Sequence, residues 1–340
     1  MKAARIHKNS SSLVIDEIDV PKISQDQVLV RVRAAGVCHT ELHFLDGTIP
    51  ISGGALTLGH EIAGDIVEIG ANVRDFSNGD RVIINNGVPC NNCRQCLVGN
   101  ENVCENLEQM GFTLDGGYAE YVKVRADRCV KISKEVSYET GAALTCGAAT
   151  CQHALFDIGN LTSGQTLLIN GMGGVGFSAL QIAKSAGATC ISVDVVDEKL
   201  EIAKNRFLAD KTINGRKENV VETVREFTSG RGVDILLELV GIPATMKYSI
   251  DVLGKKGRVV FVGYSKSDYV VSPLAMILKE ASVLSAIAYK KSDLEAVRDL
   301  AASGKLKPLI VGHYRLSEIE EPLNQLKAGT AVGRSVILFD

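Results

Sequence analysis

From about residue 166 the chain alternates between two rhythms. Thr166-Leu167-Leu168-Ile169-Asn170 is a short apolar run of the kind that forms a buried strand. A glycine-rich loop follows, and then Ala179, Ile182, Ala183 and Ala186 recur at helical spacing. Thr189 to Asp194 predicts the next strand, and a charged helix starts near Asp197. Two further strands, Val233–Val240 and Gly257–Val262, are separated by a helix over Pro243–Leu253. Such strand–helix alternation predicts a parallel sheet covered on both faces. Residues 1–150 follow a different rhythm: short strands such as Val28–Ala34 lie between recurrent glycine breaks, an all-β style with loops long enough to carry function. The last fifty residues are mixed, with helices at about Asp293–Ser303 and Ser317–Ala328 and a final strand at Ser335–Phe339. No internal repeat, low-complexity segment or flexible linker interrupts the chain.

Composition narrows the function classes. A chain of 340 residues accommodates two domains, and 46% apolar residues supply ordinary cores. Lys plus Arg number 37 against 40 Asp plus Glu, a balance that gives no attraction for nucleic acid or an anionic membrane. No run of eighteen apolar residues predicts a membrane span, and Met1–His7 lacks the apolar stretch of a secretory signal, so the expected location is the cytoplasm. Nine cysteines are many for a reducing compartment, where clustered thiols serve metals or chemistry.

Gly171-Met172-Gly173-Gly174-Val175-Gly176 fits G-x-G-x-x-G directly after a strand and opening a helix, the context that makes this pattern a dinucleotide fingerprint. Gly171 allows the tight turn, Gly173 lets backbone approach a pyrophosphate, and Gly176 lets helix and strand pack closely. The helix N-terminus offers unpaired N–H groups to the phosphates. Asp194 ends the next strand, where a carboxylate accepts from the adenosine ribose hydroxyls and repels a 2′-phosphate. No Arg follows it, so NAD is expected over NADP.

Cys90-x2-Cys93-x2-Cys96-x7-Cys104 brings four thiolates into one loop. A closed four-sulfur shell leaves no place for substrate and suits a structural zinc. The same spacing also suits an iron–sulfur cluster, but no second cysteine set accompanies it. A second concentration of donors lies at Cys38-His39-Thr40-Glu41-Leu42-His43, His60-Glu61 and Cys146. A catalytic zinc takes three protein ligands and keeps one open position. Cys38, His60 and Cys146 satisfy that requirement, although spacing alone does not single them out from the other His and Cys.

Taken in order, Gly36–His43, Gly59–Gly64, the four-cysteine lobe, Asp115–Tyr121, Leu144–Gly147 and the glycine loop resemble the zinc-containing alcohol dehydrogenases of the medium-chain dehydrogenase/reductase family over nearly the full length. The resemblance implies an α/β protein: a β-rich GroES-like catalytic domain over residues 1–150 with a structural-zinc lobe at about 88–106, a doubly wound Rossmann domain over 151–285, and a C-terminal return, 286–340, to the catalytic domain. It implies two zinc ions per chain and NAD, acting on primary or secondary alcohols to give aldehydes or ketones. Cys38, His60 and Cys146 stand as the catalytic-zinc ligands and Cys90, Cys93, Cys96 and Cys104 as the structural ones. Thr40 matches the hydroxyl that takes the substrate proton, His43 the outer member of the relay, and Glu61 the glutamate beside the metal. Besides the glycine loop, with Gly174 and Val175, and Asp194, the cofactor contacts it implies are His39 and Arg334 at the pyrophosphate and Lys199 near the ribose. Tyr289 and Lys290 fall near the expected crossing between domains and are candidates to touch cofactor.

Two departures stand out. Glu41 occupies a position where the family usually has Asp, the carboxylate that orients the histidine ligand. The pocket positions Leu45, Ile49 and Asn86 contain no tryptophan, which predicts a roomier pocket with a polar patch at Asn86. A polyol or other specialised alcohol is therefore a second reading. A non-catalytic nucleotide-binding protein is a third, disfavoured because Thr40 and His43 are both retained. The resemblance further implies a homo-oligomer, with a tetramer preferred over a dimer.

Overall fold

Strand Gln27–Val37 is the hub of the N-terminal part of the protein. Its side chains are buried along almost the whole length, because neighbours cover it on both sides. In the computed structural model, which describes residues 1–340, it pairs antiparallel with Glu61–Ile69, Tyr121–Arg125 and Arg334–Leu338. Arg81–Ile84 and Cys129–Lys131 extend this sheet beyond Glu61–Ile69, and Ile310–Arg315 extends it beyond Arg334–Leu338. A three-stranded sheet places Lys2–His7 between Leu13–Glu17 and Ala55–Thr57. The enclosed core is built mostly from β-branched and leucine side chains, among them Val28, Val30, Val32, Ile62, Ile66, Val82 and Ile84, with Tyr118 at its centre. The C-terminal strand therefore completes a sheet begun by residues more than two hundred positions earlier.

Chain contacts divide the molecule into two units, one of Met1–Ala149 with Ala288–Gly304 and Pro308–Asp340, the other of Thr150–Ile287 with Lys305–Lys307. The second unit is a six-stranded, all-parallel sheet. Its spatial order is Lys211–Asn214, Thr189–Asp194, Thr166–Asn170, Val233–Glu238, Leu253–Phe261, Ser282–Ser285. Counted along the chain this is 3-2-1-4-5-6, the doubly wound order of dinucleotide-binding domains. Thr166–Asn170 is buried at every position, as a central parallel strand must be.

The strand and helix around the glycine loop fall where the apolar pattern places them. The helix predicted over Pro243–Leu253 does not. Only Pro243–Met246 is helical, and the chain then turns into Leu253–Phe261. Ser249 Oγ donates to the Met246 carbonyl at 2.6 Å, a local bond that competes with helix propagation. The strands Lys211–Asn214, Ser282–Ser285 and Ile310–Arg315 were not anticipated. They are four to six residues long, and none shows a clear apolar run.

Candidate metal centres and nucleotide site

Cys38 directly follows the hub strand, and Thr40–Leu45 folds into a short helix just after it. His60 and Glu61 lie at the start of the neighbouring strand, where Glu61 sits opposite Gly36 in register. A side chain at position 36 would collide with Glu61, since a Cβ there would lie 1.9 Å from Oε2. Glycine at 36 is thus what allows the glutamate to lie across the hub strand. Cys146 comes from a third direction, inside a π-helical turn, Leu144–Ala148, that follows helix Tyr138–Ala143. Wide turns of this kind recur at functional sites. Donor atoms of Cys38, His60, Glu61 and Cys146 all lie within 4.8 Å of one another.

Glu41 resolves the first departure noted in the sequence. His60 Nδ1 lies 2.8 Å from Glu41 Oε1. The Cys38 backbone N–H donates to Glu41 Oε2 at 2.9 Å. The longer side chain thus reaches the histidine while bracing the backbone of the adjacent cysteine. An N–H held at Nδ1 leaves Nε2 available to a metal. Burial opposes charge on His60, but the Glu41 carboxylate and Cys38 outweigh it and hold the imidazole well above its ordinary pKa. The hydrogen bond from Cys146 holds the Cys38 thiol well below its ordinary value, while the Cys146 thiol is driven up by Cys38 and by burial. Burial raises the Glu61 carboxyl to about 8 against the opposing pull of Arg334.

Arg334 is almost fully buried and ion-paired with Glu61. The sequence reading assigns this arginine to a cofactor pyrophosphate; the antiparallel pairing of Arg334–Leu338 with the hub strand sets it beside the cysteine–histidine cluster. Glu61 Oε2 remains buried without a partner. Two sulfurs, an imidazole nitrogen and an orphaned carboxylate oxygen form a donor set that suits a borderline-soft divalent ion such as zinc. Thr40 Oγ1 lies 3.5 Å from Cys38 Sγ. His39 is exposed, and its ring meets that of His43 edge to face at 5.7 Å. A cavity of about 500 Å³ opens beside His39 and His43.

The second cluster is closed. Cys90, Cys93, Cys96 and Cys104 converge, with sulfur–sulfur distances of 3.4 to 3.9 Å among the pairs in contact. A tetrahedron with zinc–sulfur arms of about 2.3 Å has edges of about 3.8 Å, so four sulfurs at this spacing fit one ion. No disulfide forms; all nine cysteines are free. Backbone N–H groups of Asn92 and Cys93 help lower the Cys90 thiol to about 6, whereas burial lifts Cys96 to about 12. The lobe is tied down by Glu101. Its carboxylate pairs with the buried Arg128 at 3.1 Å and accepts the Lys291 backbone N–H at 2.7 Å.

In the other unit, Gly171 takes φ +96° and helix Gly174–Ser185 begins three residues later. A Cβ at Gly176 would lie 2.0 Å from the Gly171 carbonyl oxygen, so the helix packs directly on the turn. At Gly173 a Cβ would meet nothing within 4 Å, which leaves open space for a phosphate above the helix N-terminus. Asp194 does more than the sequence suggests: it accepts the Met172 N–H at 2.7 Å and the Val195 and Val196 N–H groups, bracing the glycine loop from the next strand. Lys199 lies in the first turns of helix Asp197–Asn205. Sequence reasoning missed Glu238, which is fully buried. It accepts from Asn170 Nδ2 at 2.7 Å and from the Val240 and Gly241 N–H groups, locking the residue ahead of Gly171 to the next strand. A cavity of about 640 Å³ lies at the carboxyl ends of these strands, lined in part by Gly241, Phe261, Gly263 and Ser265.

A β-rich unit carrying two soft-donor clusters, together with a doubly wound sheet carrying an N-terminal helix–phosphate cradle, defines a metal-assisted nicotinamide dehydrogenase. Comparison with known proteins agrees. Residues 24–134 match the family described as alcohol dehydrogenase GroES-like domain, and residues 174–303 match zinc-binding dehydrogenase. The chain is 35% identical to an NAD-dependent alcohol dehydrogenase of Sulfurisphaera tokodaii, covering 99% of this chain and 100% of that one. It is 33% identical to an alcohol dehydrogenase of Geobacillus stearothermophilus over the whole of both chains. The crystal structure of the alcohol dehydrogenase from the archaeon Aeropyrum pernix superimposes with a TM-score of 0.91 at 34% identity, covering both chains completely. The chain belongs to the zinc-containing alcohol dehydrogenases of the medium-chain dehydrogenase/reductase family.

Proposed function

We propose that this protein is an NAD-linked alcohol dehydrogenase that reversibly oxidises primary or secondary alcohols, with two zinc ions per chain. The observation that carries this reading is the convergence of Cys38, His60, Glu61 and Cys146 within 4.8 Å, in a chain that also presents a Rossmann glycine loop. Cys38, His60 and Cys146 would hold one ion with a position left for substrate, and the four-cysteine lobe the other. When bound, zinc supplies a Lewis acid that weakens the hold of the alcohol oxygen on its proton, and NAD supplies the hydride acceptor. Thr40, beside Cys38, would accept that proton at its hydroxyl oxygen while passing its own hydrogen onward. His43, whose side chain is about one-fifth exposed, hands it to solvent. Glu41 fixes the tautomer of His60, and Glu61 supplies a carboxylate able to approach the metal as ligands exchange.

On the cofactor side, Gly171, Gly173, Gly174, Val175 and Gly176 would cradle the pyrophosphate and Asp194 would accept from the adenosine ribose, with Lys199 nearby. His39 and Arg334 are the cationic candidates for the pyrophosphate. For Arg334 this role requires its pair with Glu61 to open. Retention of Thr40 beside Cys38, with His43 on the same short helix, favours catalysis over mere nucleotide binding. A homo-oligomer is supported by the open edge strand Ser282–Ser285 and by the exposed apolar side chains Val270, Leu274, Ile277 and Leu278 just before it. Nine unpaired thiols suit a cytosolic location. No helix is long and apolar enough to cross a membrane.

The deciding experiment is NADH formation against primary, secondary, aromatic and polyhydroxy alcohols, with metal content assayed on the same sample. NAD-dependent turnover with about two zinc per chain, abolished in Cys38→Ser, is the expected result. A well-folded, NAD-binding protein with only the lobe ion and no turnover would overturn the catalytic-zinc reading.

A further inference from the structure

Tyr289 is 4% exposed, and its hydroxyl proton has no acceptor, the Asn86 backbone N–H being the one polar group that approaches its oxygen. Buried polar groups are almost always paired, so an orphaned phenol needs a reason. Its position supplies one. Tyr289 immediately precedes helix Lys291–Ala302, which packs against the Leu144–Ala148 turn that presents Cys146. The hydroxyl lies beside the Asn86 backbone and within electrostatic reach of Cys146 and Glu61. Most other polar groups around the cluster are engaged, and Glu61 Oε2 and Arg334 Nε, also left over, belong to the metal-donor cluster and its ion pair. Glu41 is taken by His60 and the Cys38 N–H, Arg334 by Glu61, and Thr40 sits against Cys38. Asn86 is itself 5% exposed, and its backbone is anchored by the Met110 N–H at 2.9 Å, so its amide side chain is a second buried polar group at the same place.

We propose that Tyr289, with Asn86, is a specificity-determining pair that hydrogen-bonds a second oxygen on the substrate, so that the preferred substrates are diols or hydroxycarbonyl compounds rather than simple alkanols. The proposal rests on the alcohol dehydrogenase reading above and refines it. A hydroxyl on the carbon next to the reacting one would give the phenol the partner it lacks. A simple alkanol would leave the phenol unpaired in the loaded site. Sites built around such a bond reject analogues that lack the matching group far more strongly than apolar pockets reject an extra methylene. Tyr289 takes no proton in the reaction; it orients the substrate and selects it.

The test compares propylene glycol with propanol as alcohols, and acetoin with butanone as carbonyl compounds, in the zinc-loaded wild type, Tyr289→Phe and Asn86→Leu. Tyr289→Phe removes one oxygen and keeps the ring. The expected result is a fall of about tenfold in the glycol-to-propanol ratio of kcat/KM, with the same direction for acetoin over butanone and for Asn86→Leu. Dead-end binding of propylene glycol to the enzyme–NADH complex, followed by NADH fluorescence, is expected to weaken by a similar factor. An unchanged ratio, or equal losses on both members of each pair, would show Tyr289 to be a packing residue and overturn the proposal. If the wild type turns over no alcohol at all, the alcohol dehydrogenase reading fails, and the binding measurement still decides whether Tyr289 meets a second oxygen.

Discussion

One methylene separates Glu41 from the shorter acid expected at its position, and the structure spends that length on reach. The carboxylate spans from His60 Nδ1 to the Cys38 backbone, so a single side chain orients one soft-metal donor and braces the residue carrying another. Outer-shell partners of this kind typically govern metal affinity by about 10–100-fold. Glu41→Ala is therefore expected to weaken metal binding at the Cys38–His60–Cys146 cluster by about that factor, measured by competition with a chromogenic chelator, while the four-cysteine lobe keeps its ion. Equal loss from both clusters would mean that the substitution acts through general unfolding. Arg334 and Glu61 form the other residue-scale unit. Burial lifts the Glu61 carboxyl to about 8 even with the guanidinium beside it, so the arginine offsets only part of what burying the carboxylate costs.

At the scale of elements, the cysteine lobe has few means of holding itself together. Its regular structure is one short helical turn, Arg94–Leu97, a single 3-10 turn, Glu101–Val103, and a two-residue strand pair, and Leu97 and Val98 are exposed. A segment with so little apolar burial would take its folding free energy from a metal held by its four cysteines. Cys96→Ser is expected to lower zinc content by about one ion per chain and to lower the thermal midpoint, while leaving NADH binding intact. Retention of both ions with an unchanged midpoint would remove the lobe from the list of metal sites. Glu101 carries the consequence further, because it joins the lobe to Arg128 and to the N-terminus of helix Lys291–Ala302.

For the whole molecule, the ligand-binding parts fall in different units. Both cysteine clusters belong to the unit containing Met1–Ala149, and the glycine loop, Asp194 and Glu238 to the unit of Thr150–Ile287. A ligand stabilises the structure it binds in proportion to RT ln(1 + [L]/Kd), about 2.7 kcal/mol at one hundred times Kd. Calorimetry of the metal-loaded protein is expected to show NADH raising the transition of the nucleotide unit by that order, and chelation lowering the transition of the metal-bearing unit. A single transition that moves identically with either treatment would show that the two units unfold as one.

The parallel strands, the glycine loop and the four-cysteine lobe were legible in the sequence because each depends on local spacing. An apolar run, a G-x-G-x-x-G turn and closely spaced thiols lie within a few residues of the neighbours they need, and the chain has little freedom to arrange them otherwise. The long helix expected after Pro243 failed for an equally local reason, a serine hydroxyl bonding back to the Met246 carbonyl. The Cys38–His60–Cys146 cluster is of another kind. Cys38 follows a strand, His60 immediately precedes the strand Glu61–Ile69, Cys146 lies in a π-helical turn and Arg334 in the last strand. The residues alone left several His and Cys as candidates, and only resemblance to a family chose among them. Antiparallel register brought Glu61 across Gly36 and Arg334 against Glu61, and close packing buried the Tyr289 hydroxyl without an acceptor for its proton. Pairing between distant strands is set by the whole sheet, so which side chains meet there is decided by the tertiary structure.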